Sequence, residues 1–156
     1  SLIIYLTIYL AMNIGVFALI LSMKNKGDYF ENISDLAGLY KTHPYYSLLI
    51  AIFMFSLAGI PPLAGFFGKF YVFIAAIESN LMLLAIIGIL ASVISAFYYL
   101  RVIKVIYFDE NKNSFEGFNS RSLNILINPS AFLILAFCVY PVPLIAISNY
   151  AAGSFF

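Results

Sequence analysis

The residue with the most chemistry to offer is Lys69, in the run Ala58-Gly59-Ile60-Pro61-Pro62-Leu63-Ala64-Gly65-Phe66-Phe67-Gly68-Lys69-Phe70-Tyr71. It stands nine residues before Glu78 in an otherwise apolar stretch, about 14 Å along a helix from that polar turn. Desolvation favours a neutral amine, whereas a neighbouring carboxylate favours the ammonium form, so a lysine between those influences can take up and release a proton. No carboxylate of this chain lies at matching depth, because Glu78, Asp109, Glu110 and Glu116 all fall at the margins of apolar segments. The competing reading is a lysine that snorkels to the nearer surface.

The same run should break a helix. Two consecutive prolines remove two backbone donors, which leaves the carbonyls of Leu57 and Ala58 without their i+4 partners. The flanking Gly59, Gly65 and Gly68 permit non-helical dihedrals around them. Unwound backbone at membrane depth is tolerated only where protein buries it or a hydrated cavity meets it, and ion sites of transporters are built on such breaks. The expected site is therefore Lys69 for proton transfer, with Gly59, Pro61, Pro62, Gly65 and Gly68 forming the broken helix.

Other polar residues inside apolar stretches are fewer. Asn13, Ser92 and Ser95 could extend a polar pathway, although helix packing is the simpler role for each. Small residues recur at helical spacing as Ala11, Gly15, Ala18 and Ser22, and again as Ala85, Gly88, Ser92, Ser95 and Ala96, which suits close approach of backbones. The lone His43, just before Pro44, reads as an interfacial polar residue, and the single Cys138 as a buried thiol. Neither offers a metal or a cofactor a ligand set.

The elements that must hold these residues follow from composition. Of 156 residues, 63% are hydrophobic and only 10% charged, with net charge +1; mean hydropathy is +1.00. A soluble domain carries roughly 25% charged residues, so this chain is expected to be an all-α, polytopic transmembrane helix bundle, with no surface for nucleic acid. Four segments approach the roughly 20 apolar residues that cross a bilayer: 2–23, 45–77 broken near 59–65, 81–108 and 129–150. As one helix, 45–77 would measure about 50 Å, which is too long for a single ordinary crossing. These spans form one membrane domain over 1–156. The chain opens at Ser1 directly on an apolar stretch that lacks a basic n-region, which points to the C-terminal piece of a longer protein rather than to a signal peptide.

Alternating the spans places Lys24, Lys26, Lys41, Arg101, Lys104, Lys112 and Arg121 on one side. The positive-inside rule makes that side cytoplasmic and both ends of the chain external. Tyr40, Tyr45 and Tyr46, with Tyr98, Tyr99 and Tyr107, are expected at the same interface.

The run Leu57–Tyr71 resembles the broken helix of the antiporter-like subunits of respiratory complex I (NADH-quinone oxidoreductase). The stretches Tyr9-Leu10-Ala11-Met12-Asn13-Ile14-Gly15, Ile33-Ser34-Asp35-Leu36-Ala37-Gly38-Leu39 and Tyr98-Tyr99-Leu100-Arg101-Val102 agree with it. Lys69-Phe70-Tyr71 looks like the N type of the family, whereas the M type usually has glutamate at this point. The resemblance implies the last spans of a longer bundle in a redox-driven proton pump, with Lys69 ending a row of charged residues along the mid-membrane axis. It also implies a cell inner (plasma) membrane location and other complex I membrane subunits as partners, beside the lipid bilayer and protons. NADH, FMN, iron–sulfur clusters and quinone would be handled by other subunits, with no cofactor bound here. The alternatives are an Mrp-type cation/proton antiporter, a membrane-bound hydrogenase subunit, or a membrane scaffold subunit in which Lys69 only pairs with a neighbour.

Overall fold

The computed structural model describes residues 2–25, 28–29, 32–110 and 121–139. The first helix, α1, covers Leu2–Ser22 and buries Ile4, Ile8, Met12, Gly15, Leu19 and Ser22, a single stripe at three- and four-residue spacing. A two-residue antiparallel ladder follows, β1 (Lys24–Asn25) against β2 (Asp28–Tyr29). The stretch between the first two expected spans also holds a 3-10 turn at Ile33–Leu36 and one helical turn, α2, at Leu39–Thr42.

Two half-helices then occupy the segment that carries the prolines. The first, α3, runs Pro44–Ala58, with proline at the start, where the missing N–H costs nothing. The second, α4, runs Ala64–Glu78. Each has fifteen residues, about 22 Å, so neither half is long enough to cross a 30 Å hydrocarbon core alone, while their combined length exceeds it. The sharp turn at Ser79-Asn80 leads into α5, Met82–Phe108, a helix of 27 residues, and Asn80 takes a positive φ in that turn.

α1 and α5 are each long and apolar enough to cross a membrane. A long apolar helix could instead be the core of a soluble protein, but then it would be buried. Only 6% of the most apolar window of α5 is buried, so its surface belongs in lipid or against other protein, not in water.

The last described helix, α6, departs from the sequence expectation. It covers Arg121–Val139 and passes through Pro129, whereas the span was expected to start at that proline. The physical reason is a continuous buried face of Ile127, Ala131, Ile134 and Phe137 packed mainly on α1, which continues across the missing backbone donor. Membrane helices tolerate such a proline because neighbours re-satisfy the freed groups. The remainder of the expected span, 140–150, lies outside the described residues.

The centre of the bundle is where α1, α3 and α4 meet, around Ile8, Met12 and Phe53. Of the small residues on α5, only Ala85 is buried, so that row packs less completely than its spacing suggests.

Candidate functional site

The break is built by two local devices. At the end of α3, Gly59 adopts φ 83°, the left-handed region that favours glycine. Its N–H reaches the Ser56 carbonyl at 3.0 Å and the Ile60 N–H reaches the Phe55 carbonyl at 3.1 Å, which is the paired closure of a Schellman cap. The chain then turns through Pro61 and Pro62, joined by a cis peptide bond, and re-enters a helix at Ala64.

At the start of α4, Gly65 lies hard against α3: a Cβ there would overlap the Ser56 carbonyl oxygen. Only glycine allows that approach, and it is used. The Gly65 N–H, one of the orphan donors of the new helix, donates to Ser56 Oγ at 3.0 Å. Ser56 Oγ in turn donates to Met12 Sδ on α1 at 3.0 Å, and the serine is fully buried. One hydroxyl thus ties both half-helices to α1.

Lys69 lies five residues into α4, and helical side chains lean towards the N-terminus of their helix. Its Nζ accordingly reaches back across the break and donates to the Leu57 carbonyl at 3.0 Å. That carbonyl is one of the two that Pro61 and Pro62 leave without an i+4 donor. It is also at the C-terminal end of α3, where the aligned peptide dipoles place roughly half a negative charge. The lysine therefore finds a negative partner in the backbone rather than in a carboxylate, and it does not extend towards the Glu78 surface. Snorkelling is not its conformation here.

The half-buried Lys69 stands between two openings. One is a cavity of ≈ 220 Å³ whose walls include Tyr5, Tyr9, Ser92, Ser95 and Tyr99. The other is an open groove of ≈ 340 Å³, lined by Gly59, Phe66, Phe70, Phe73 and Ser92 among others. Ser92 borders both, so Lys69 and Ser92 are the polar side chains shared by the two.

The expected site residues separate as follows. Gly59 and Gly65 are required by backbone geometry, and Pro61 supplies the free carbonyl. Gly68 lines the cavity, but a Cβ there would meet only ordinary contacts, the nearest at 3.5 Å from Tyr5. Ser95 faces the cavity while its Oγ donates to Ala91 O on its own helix. Asn13 is not brought in: its Nδ2 donates to Tyr9 O at 2.7 Å on α1, and it does not line the cavity.

Ser56 and Tyr5 play no part in the sequence reading, and Met12, Tyr9 and Tyr99 enter it without a role at this site. Tyr99, expected near the membrane interface, also stands on the cavity wall, nine residues before the end of α5. The i, i+4 spacing of Tyr5 and Tyr9, whose rings stack at 5.7 Å, is the signal that could have located them.

Comparison with known proteins supplies the family. A family model described as NADH:quinone oxidoreductase/Mrp antiporter, TM matches residues 1–95, more than half of the chain. The chain belongs to that family. It is 54% identical over 98% of its length to NADH-quinone oxidoreductase subunit N of Paramagnetospirillum magneticum, and 55% identical over 95% to the protein of the same name from Parvibaculum lavamentivorans. It spans 31% of the length of each of these relatives. Among solved structures, it superposes on a chain of respiratory complex I from Thermus thermophilus, determined with bound aureothin, with a TM-score of 0.73 at 25% identity. That match covers 88% of this chain and 31% of the other. A member of the NADH:quinone oxidoreductase/Mrp antiporter family with an exposed apolar α5 is a membrane-embedded helical protein.

Proposed function

We propose that this chain forms part of the proton-translocating membrane subunit of an NADH:quinone oxidoreductase, with Lys69 as the group that takes up and releases the proton. The observation that carries the reading is the Lys69 Nζ to Leu57 carbonyl bond across the break, beside a cavity with polar walls. Likeness to relatives named subunit N favours this member of the family over an Mrp-type antiporter.

In the protonated state, the ammonium is held by the Leu57 carbonyl and the dipole of α3. A neutral amine loses about half of that hydrogen-bond strength, because charge-assisted hydrogen bonds are roughly twice as strong as neutral ones, and its attraction to the dipole as well. The side chain is then free to turn towards the Tyr5, Ser92 and Tyr99 side of the cavity, where water can deliver or accept a proton. A change in nearby charge, brought about in the assembly by electron transfer, selects between the two positions.

Redox chemistry belongs to other subunits. An iron–sulfur cluster takes four cysteine thiolates, and this chain has Cys138 alone, so its residues do not fit such a cluster. NADH, FMN and quinone are likewise assigned to neighbours, and no step at Lys69 runs through them. The partners are the other membrane subunits of the assembly in a bacterial inner membrane. Lys24, Lys26, Lys41, Arg101, Lys104, Lys112 and Arg121 mark the cytoplasmic side.

The test is NADH-driven proton uptake by membrane vesicles carrying the full-length protein in its assembly. Lys69→Ala should depress the protons moved per NADH oxidised, and Lys69→Arg should retain more. Unchanged stoichiometry in the alanine variant would overturn the role of Lys69. Sodium-driven proton exchange without NADH oxidation would support the antiporter reading instead. Loss of the assembly on native gels before any loss of coupling would mark a scaffold.

A further inference from the structure

One face of α5 changes character near its end. Leu90, Ile94 and Phe97, the last two 74% and 73% exposed, align with Arg101, Lys104 and Phe108 at three- and four-residue spacing, so they form one stripe. Two turns of large apolar side chains therefore lead directly into two exposed cations one turn apart. From Leu81 to Arg101 is about 30 Å of helix, the thickness of a hydrocarbon core, so the stripe becomes cationic at the level of the phospholipid headgroups.

The surroundings add to the positive charge. Tyr40 stacks on Tyr107 at 5.6 Å, which places the exposed Lys41 at the same end of α5. Asp109 and Glu110 follow Phe108, but no carboxylate among the described residues pairs with Arg101, Lys104 or Lys41. A protein partner with a flat apolar face would leave these cations desolvated and unmatched. A two-part ligand, with acyl chains below and an anion above, matches both parts of the stripe.

We infer that the Leu90–Phe108 face of α5 binds an anionic phospholipid, its acyl chains along Leu90, Ile94 and Phe97 and its phosphate between Arg101 and Lys104. Lys41 adds to the field that attracts the headgroup. The tyrosine pair Tyr40–Tyr107 lies at the depth where amphipathic rings meet headgroups.

The experiment uses the full-length protein in its native assembly, reconstituted in phosphatidylcholine nanodiscs. A trace of phosphatidylglycerol with a diazirine in its acyl chain is compared with phosphatidylcholine bearing the same diazirine. After irradiation and digestion, label is quantified on peptides covering 90–108. The anionic probe should label the Ile94–Phe97 stretch more than the neutral probe, by about five-fold for each cation engaged. Arg101→Gln with Lys104→Gln should cut the ratio to the remainder that Lys41 supplies, at most about five-fold, while Lys104→Arg should keep it in full. Continued labelling by the neutral probe reports that α5 is still in place in either variant.

Equal labelling by the two probes in the wild type would overturn the inference, as would a ratio that the double substitution leaves undiminished. So would the absence of label from either probe, which would mean that protein covers this face. Loss of the preference on adding glycerol phosphate alone would also overturn it, since the site would then read a free phosphate and not a lipid.

Discussion

Pro61-Pro62 and Pro129 both interrupt apolar stretches, and the chain answers them in opposite ways. At Pro61 the helix stops and a new one starts at Ala64, whereas α6 continues through Pro129 from Arg121 to Val139. Both sites free backbone carbonyls, those of Leu57 and Ala58 in one case and that of Ile125 in the other, so a missing donor alone does not make the difference. What differs is the neighbourhood. Gly59 can take a left-handed φ and close the end of α3, and Gly65 lets the next helix return to contact Ser56. Pro129 is flanked by Asn128 and Ser130, and its helix has a continuous buried face to hold it helical. The lesson is that a proline creates an unsatisfied carbonyl, but glycine placement and a returning donor turn that carbonyl into a site.

The contrast can be broken experimentally. Gly65→Ala should have the largest effect, because the new Cβ would overlap the Ser56 carbonyl and force the half-helices apart. A loss of about 3 kcal/mol is expected, read as a lowered thermal midpoint of the full-length protein in detergent, together with reduced proton translocation. An unchanged midpoint would mean that the two halves do not touch there.

Ser56→Ala should come next. It removes the acceptor of the Gly65 N–H inside a buried site, a loss of about 1–3 kcal/mol in the same measurement. Pro129→Ala should act in the opposite direction, giving the Ile125 carbonyl a helical donor and raising stability by about 1 kcal/mol, with proton translocation unchanged. A large loss of activity in that variant would show that the two prolines are not as different as their structures. The smallest effect belongs to Gly68→Ala, neutral or stabilising by at most about 1 kcal/mol, since its Cβ meets only ordinary contacts.

Much of this arrangement was legible in the sequence, for identifiable reasons. The break could be anticipated because Pro61, Pro62 and Gly59 act on their own backbone. The distance of Lys69 from the turn at Glu78 could be counted along α4, since a helix rises by a fixed amount per residue. The carbonyl freed at Leu57 followed from the same covalent rule, but its partner did not, because a contact twelve residues away depends on how the half-helices pack. Tyr99 enters the sequence reading only as an interfacial residue, because its place on the cavity wall depends on how the helices pack. Ser56 gave no signal, as a serine in an apolar helix looks the same whether it bonds its own backbone or links three helices. The start of α6 was missed for the reverse reason: a strong local rule about Pro129 was overridden by packing against α1.

The central claim is that the break itself supplies the partner of Lys69. It is tested most directly by the separation between Lys69 Nζ and the Leu57 carbonyl oxygen in an experimental density map of the full-length protein in lipid. The account predicts hydrogen-bond distance, about 2.7–3.2 Å, with Nζ directed across the break. A lysine extended towards Glu78, with the Leu57 carbonyl taken by another donor, would contradict it.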